Sequence, residues 1–282
     1  PAMIVPPALR RAPHPGFTSG VTVITSSADR MGGADIPLGL DFSVCRLSNG
    51  EVVQETHPDE SAWILLSGAA AIDCAGVTGE IRRGSCFDEA PSALHVAGNI
   101  PVAIHALTDG TEFAIVRTRN ERTFPAQLFL PANMAPEYRG AGLVQNAGLR
   151  NVRLIFDRAA RPESNLVIGE VVNYPGRWSS YPPHHHDQPE IYHYRFTLPT
   201  GYGHAELGDA VVKVRDGDTV VIPPGHDHAQ VSAPGYGMYY LWMIRHLPGN
   251  PYTGFTFAPE HTWTLDPAQQ GWRPADLPPG LV

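Results

Sequence analysis

The chain has 282 residues and almost no lysine: Lys213 stands alone against 19 arginines. Covalent imine chemistry would have to use that one residue. It sits in a strand-like alternation, Val211-Val212-Lys213-Val214, so a Schiff-base mechanism is not expected. Cysteine is nearly as scarce. Cys45, Cys74 and Cys86 match neither a zinc knuckle nor a disulfide framework in their spacing and read as small buried thiols. Charged residues make up only 17%, with a net charge of −8 and no basic cluster long enough to follow a phosphate backbone, so nucleic acid is not an expected partner. No window approaches the ~18 unbroken apolar residues of a membrane helix. The first fifteen residues, Pro1 to Pro15, read as a Pro-rich arm without a signal-peptide core. These absences lead us to expect a cytoplasmic protein with no membrane partner.

Long helical stripes are missing too, while 28 glycines and 28 prolines punctuate the chain, which argues against a bundle or coiled coil. Hydrophobic residues, 43% of the total, gather into short β-branched and aromatic runs. Val21-Ile24, Ser61-Leu66, Phe113-Val116, Val152-Phe156, Leu166-Val172, Ile191-Leu198, Val211-Arg215, Thr219-Ile222 and Tyr236-Ile244 all read as strands. The expected class is all-β. Pro131 to Gly148, rich in Pro, Gly and Ala, reads as a connection between two segments of similar pattern. We therefore expect two tandem barrels, 1–140 and 141–282, related by a weak duplication.

Histidine carries the functional signal. Nine of the 13 histidines lie after residue 140. In YPPHHHDQPEIYHYRF, strand alternation puts His184 and His186 on one face and His185 on the other, and Glu190 keeps the parity of the first pair. Two imidazoles and a carboxylate on one face suit a divalent metal. Further on, Gly217, Pro223, Gly225 and His228 form a G-x5-P-x-G-x2-H pattern in which a tight turn delivers a third imidazole at the start of a new strand. Together with H-x-H-x3-E this pair of motifs resembles the one that marks the cupin barrels, and implies a double-stranded β-helix or jelly roll.

Neighbouring residues are read more openly. His185 faces outward or supports a ligand, and His226 is either a pocket acid/base or a solvated loop residue. Tyr192, Tyr194 and Phe196 share the parity of Glu190 and fill the barrel, while a tyrosine hydroxyl near the metal would be a proton relay. Arg195 falls on the opposite face and reads as structural. Arg150 and Arg153 follow the connection and either reach over the barrel mouth or serve as salt-bridge partners. In the first half, His57 and Glu60 stand where the first motif belongs, with no second histidine at the right spacing. That barrel is expected to bind no metal and to act as scaffold.

YPPHHHDQPEIYHYRF, DGDTVVIPPGHDHAQVSAPGYGMYYLW and the tail PEHTWTLD together resemble the 5-deoxy-glucuronate isomerases of inositol catabolism, and more distantly the 4-deoxy-5-ketouronate isomerases, both within one bicupin superfamily. The likeness runs from about Arg150 to Leu265 and is faint before that. It departs in a shorter loop before the glutamate and in Trp242, where a smaller polar residue is expected. The resemblance implies His184, His186, Glu190 and His228 as ligands of one divalent ion, zinc foremost, with manganese or iron as alternatives. It implies an aldose–ketose isomerisation of a deoxy-uronate, 5-deoxy-D-glucuronate to 2-deoxy-5-keto-D-gluconate, needing Lewis-acid polarisation of a carbonyl and a proton carrier. The candidate carriers are His226, Tyr192, Tyr194 and Glu206, and the candidate partners of the substrate carboxylate are Arg153 and Arg177. Two rival readings are an Fe(II)-dependent cupin dioxygenase and a non-catalytic sugar-binding cupin. A homo-oligomer is reasonable on the general ground that bicupins expose sheet edges.

Overall fold

The computed structural model describes residues 8–31 and 36–275. Each run expected to be a strand is one. The alternation in Ile191-Leu198 becomes the strand Glu190–Phe196, and Tyr236-Ile244 becomes Met238–Arg245. Among the described residues the helices are three short 3-10 segments, Pro131–Asn133, Val144–Asn146 and Pro259–Leu265, and no helix is long and apolar enough to cross a membrane.

In the first half, one nine-stranded sheet folds back on itself. Its pivot is the long strand Glu60–Cys74, whose first part pairs with Thr111–Thr118 and Ala93–Val96 and whose second part pairs with Val77–Arg83 and Pro101–Ala106. The change of direction falls at Gly68, φ +95°, after a register shift at Leu65/Ser67. Any Cβ there would stand 2.6 Å from the Thr111 backbone, so the corner requires glycine.

The second half is a sandwich of two sheets. A seven-stranded sheet runs, in spatial order, Ala8–Arg10, Thr219–Ile222, Glu190–Phe196, Met238–Arg245, Leu166–Asn173, Arg150–Phe156 and Glu137–Arg139. Facing it is a five-stranded sheet of Ala210–Arg215, Tyr202–Leu207, His228–Ser232, Trp178–His185 and Thr256–Phe257. Two segments numbered below 141 thus belong to the larger sheet. The expected N-terminal arm is in part an edge strand, its residues 8–10 pairing with Val221, Val220 and Thr219; residues 1–7 lie outside the described residues. The expected connection, Pro131 to Gly148, likewise supplies the strand at the other edge, which pairs with Val152, Asn151 and Arg150.

Both faces of the larger sheet are buried, and strand parity sorts its side chains. Ile191, Val221, Leu241 and Met243 pack outward with Phe42, Ile64 and Val116 of the first half, while Tyr192, Tyr194, Val220 and Tyr240 fill the interior of the sandwich. A polar tie crosses the same contact. The fully buried Glu170 carboxylate accepts hydrogen bonds from Arg83 (2.7 and 2.9 Å), Arg153 (2.8 Å) and the Tyr239 hydroxyl (2.9 Å). The second barrel's orientation is therefore fixed by an apolar face and a buried ionic tie, and its open interior points away from the first.

Candidate metal centre

The interior of the sandwich ends in a group of imidazoles and one carboxylate drawn from both sheets. His184 belongs to the small sheet and sits opposite His228 in the ladder between Trp178–His185 and His228–Ser232, which brings their rings to 4.5 Å between centroids. Glu190 opens the facing strand in the large sheet. His186 lies in the short crossing between the two, pinned by a hydrogen bond from Gly225 N–H to its carbonyl. The Pro223-Pro224-Gly225 turn, with Gly225 at φ +72°, carries the chain from the large sheet to the small one, so that His228 starts its strand beneath His184. The sequence motif is thus the hinge of the sandwich.

His186, Glu190 and His228 present ligand atoms within 4.8 Å of one another, all buried. Glu190 Oε2 is 3.1 Å from His186 Nε2 and 3.4 Å from His228 Nε2. The half-buried His184 lies beside this trio rather than within it. Hydrogen bonding sets the tautomers. His228 Nδ1 faces the His226 carbonyl at 3.1 Å, and His184 Nδ1 faces the carbonyls of Ser180 and Pro182 at 3.2 and 3.3 Å. A carbonyl only accepts, so both Nδ1 atoms carry the proton and the lone pairs lie on Nε2. Burial pulls the His184 pKa down to about 3, helped by the neighbouring His228, so its ring stays neutral. For Glu190 burial acts against the charge, but the hydrogen bond from His186 and the closeness of His228 outweigh it and hold the pKa down to about 2. Imidazoles around an ionised carboxylate, with His186 Nδ1 left buried and unpartnered, are a donor set that fits a divalent cation.

Above this group lies a cavity of about 300 Å³. His184, His186, Glu190 and Tyr192 line it, together with Ser180, Tyr240, Trp242, Tyr252 and two arginines, Arg139 and Arg150. Its hydroxyl groups are linked: Tyr192 Oη is 3.1 Å from His228 Nε2 and 3.3 Å from Ser180 Oγ, and Ser180 Oγ is 3.2 Å from Tyr240 Oη. Since the His228 Nε2 lone pair can only accept, the Tyr192 O–H donates to it. Burial, reinforced by the nearby Glu190 charge, pushes the Tyr192 phenol well above its usual pKa. Trp242 lies across Gly169, where a Cβ would meet its ring at 2.2 Å, and forms one wall of the cavity.

The other residues singled out from sequence are not at this cavity. Tyr194 is one layer deeper, its hydroxyl donating to Gln230 at 2.6 Å. His226 stays on the turn with Nδ1 3.0 Å from the Pro224 carbonyl, and Glu206 lies half-buried on Tyr202–Leu207; neither lines the cavity. Arg177 reaches the Gln145 carbonyl at 3.4 Å. Arg153 is committed to Glu170 and to the carbonyls of Cys86, Phe87 and Glu89, on the face of its strand turned toward the first barrel. The guanidinium groups at the cavity are instead Arg150, which is buried and has no carboxylate partner among the described residues, and Arg139, which is paired with Glu137 at 2.8 Å. Glu137 and Arg139 went unnoticed because their strand hides within a stretch that reads as a connection. Only the brief alternation Glu137-Tyr138-Arg139 signals it. In the first half, His57 is 3.9 Å from Asp59, and Glu60 is buried 2.7 Å from His95 Nε2.

Known proteins place this arrangement. The KduI/IolB family model matches residues 13–264. A 5-deoxy-glucuronate isomerase of Geobacillus kaustophilus is 30% identical over 80% of this chain and 85% of its own length. The crystal structure of an IolB-like protein from Salmonella typhimurium superposes with a TM-score of 0.73 at 25% identity, covering 80% of this chain and 90% of that one. Oxalate decarboxylase from Lactobacillus farciminis shares the fold, with a TM-score of 0.62 at 13% identity over 86% of each chain. The fold is the all-β bicupin, and by the extent of the match the chain belongs to the KduI/IolB family.

Proposed function

We propose that this protein is a metal-dependent aldose–ketose isomerase that converts 5-deoxy-D-glucuronate to 2-deoxy-5-keto-D-gluconate in the cytoplasmic catabolism of inositol. The observation that carries the reading is one cavity with an imidazole and carboxylate cluster at its floor and, in its wall, Arg150, a guanidinium held by the Gly148 carbonyl and without a carboxylate partner among the described residues. The relatives' activity and this chemistry agree.

In this reading His184, His186, Glu190 and His228 hold one divalent ion, zinc foremost. That ion supplies Lewis-acid polarisation of the substrate carbonyl. The chain's own groups do the rest. Arg150, with Arg139 beside it, binds the substrate carboxylate in a fork of N–H donors, a strong interaction because burial has already stripped Arg150 of water. The Tyr192 hydroxyl, linked to Ser180 and Tyr240 and protonated at rest, gives its proton to the carbonyl oxygen as the enediol forms and takes one back from the neighbouring hydroxyl as the new carbonyl forms, which returns it to the phenol. Trp242 closes the wall and limits substrate length. The first barrel serves as a metal-free scaffold, and the protein works as a homo-oligomer.

The test is to incubate metal-loaded protein with 5-deoxy-glucuronate, and separately with 5-keto-4-deoxyuronate, in heavy water without oxygen, following both by NMR. Conversion of the first with deuterium uptake at the migrating position is the expected result. No conversion and no exchange with either would defeat the proposal.

A further inference from the structure

A second concave site lies in the cleft between the two barrels, away from the metal cluster. It encloses about 840 Å³ and is lined by Arg119, Arg122, Arg158, Arg245 and His246, against two acids, Asp59 and Glu121. Glu121 is engaged with Arg119 at 2.8 Å. The other three guanidinium groups have no carboxylate within ion-pairing distance among the described residues. Arg122 is held by Asn120 and Asn165. Arg245 reaches the carbonyls of Leu38 and Pro37 and lies flat on Gly39, where a Cβ would be 2.2 Å from its Nε. Arg158 is exposed and forms no hydrogen bond or ion pair with another described residue. In a chain of net charge −8, three guanidiniums without a carboxylate partner around one hollow are a local concentration of positive charge, with Arg158 free of any structural tie and Arg122 and Arg245 anchored by amide and carbonyl oxygens.

His246, at the back of the cleft, is the second observation. Its Nδ1 accepts a hydrogen bond from Tyr252 N–H at 2.9 Å, so its proton is on Nε2, and that Nε2–H is buried with no acceptor. The residue is only 7% exposed. Burial, with the positive charges of Arg158 and Arg122 nearby, lowers its pKa and keeps it neutral. The hydrogen bond from Tyr252 also ties it to the loop that lines the metal-side cavity with Tyr252, Thr253 and Phe255. The same loop is fastened to the crossing between His186 and Glu190: Gln188 donates to the Asn250 carbonyl at 2.9 Å, and Asn250 donates to Asp187 at 3.0 Å.

We propose that this cleft binds the phosphoryl group of a small molecule through Arg122, Arg158 and Arg245, and that His246 transmits its occupancy to the Tyr252 loop over the candidate metal centre. The ligand class follows from the donors, because planar guanidinium forks around a hollow are matched to tetrahedral dianions. A hollow of this size holds more than the bare anion, which favours a phosphorylated metabolite over free phosphate. The proposal does not depend on which sugar acid the metal centre takes.

Isothermal titration of the metal-loaded protein with inorganic phosphate and with glucose 6-phosphate provides the test, repeated after metal removal by a chelator. We expect one site per chain, indifferent to the chelator, with affinity reduced about tenfold or more in Arg122→Ala and in Arg158→Ala. Arg158 makes no hydrogen bond or ion pair with another described residue, so its variant keeps the fold, and a melting curve of Arg122→Ala controls for the loss of its ties to Asn120 and Asn165. Tighter binding of the sugar phosphate assigns the site to a phosphorylated metabolite, and equal binding assigns it to the phosphoryl group alone. Hydrogen exchange should show residues 246–257 protected on binding in the native chain, with His246→Ala still binding but showing no added protection there. Absence of binding at millimolar ligand, loss of binding with the metal, or unchanged affinity in the Arg122→Ala/Arg158→Ala double variant would overturn the site. Unchanged exchange in the loop would overturn its coupling.

Discussion

Replacing Glu170 by alanine probes how the first barrel holds the second. The carboxylate is inaccessible and meets three donors, two of them guanidiniums that are themselves 1% and 5% exposed. For Arg83, burial opposes the charge, and the Glu170 carboxylate more than offsets it, raising the pKa above its usual value. Glu170→Ala therefore strands two buried cations. They keep the carbonyls of Leu65, Cys86, Phe87 and Glu89, which moderates the loss, but no carboxylate remains to balance them. Breaking a buried pair by removing one partner costs ~3–5 kcal/mol. In a chain of this size each kcal/mol moves Tm by roughly 2–3 °C, so a fall of roughly 6–15 °C is expected in scanning calorimetry. The triple change Glu170→Leu, Arg83→Met, Arg153→Met should recover most of it, because the cost lies in unpaired charge and not in lost volume. Isomerase kcat at 25 °C should be retained in Glu170→Ala, since Arg153 and Glu170 face the first barrel and not the cavity. A Tm change below about 2 °C, or a triple variant no better than the single one, would refute the account.

Other consequences are open to direct measurement. Tyr192→Phe removes the O–H donated to His228 and the link to Ser180, and should lower kcat by about 100-fold at unchanged metal content, measured by steady-state kinetics beside elemental analysis; full activity would exclude Tyr192 as proton carrier. His228→Ala should abolish both bound metal and turnover; a variant that still held stoichiometric metal would remove His228 from the ligand set. Gly169→Ala places a Cβ 2.2 Å from the Trp242 ring and 2.9 Å from the Arg153 carbonyl. It should cost ~1–3 kcal/mol and shift KM by displacing the cavity wall, and unchanged KM and Tm would show that Trp242 yields freely. His193 is buried and neutral, its pKa driven well below normal by burial and then by Arg195, whereas the unfolded chain takes up a proton below pH ~6.5. The unfolded state thus binds more protons, and stability should fall by ~1.4 kcal/mol per pH unit below that point from this group alone. Denaturant titrations from pH 7 to 5 should show a shallower acid limb for His193→Asn; an identical slope would count against the assignment.

Much of the metal-side chemistry was legible in the sequence because its determinants are local. Alternation separates His184 from His185, a Pro-Pro-Gly turn fixes where the next strand begins, and the short crossing that holds His186 brings it to Glu190 on the facing sheet, so the motif needs little from the rest of the chain to bring these side chains close. The nine strand segments were legible for the same reason, since alternation is a property of successive residues. Parity even separates Arg150 from Arg153, three positions apart on one strand. What parity cannot say is which face of a doubly buried sheet is the cavity and which is the contact with the other barrel. Tertiary structure decided that: Arg153 went to Glu170 and Arg150 to the cavity, the reverse of the preference drawn from sequence. It also decided the edges. Ala8–Arg10 and Glu137–Arg139 become strands only by pairing with segments distant or later in the chain, and such backbone hydrogen bonds leave almost no trace in side-chain pattern. Tyr252 and His246 meet through a loop for the same reason. The sequence by itself determined the candidate donors and their spacing; the tertiary structure alone decided what surrounds them, because a cavity wall is assembled from residues whose proximity depends on the packing of whole sheets.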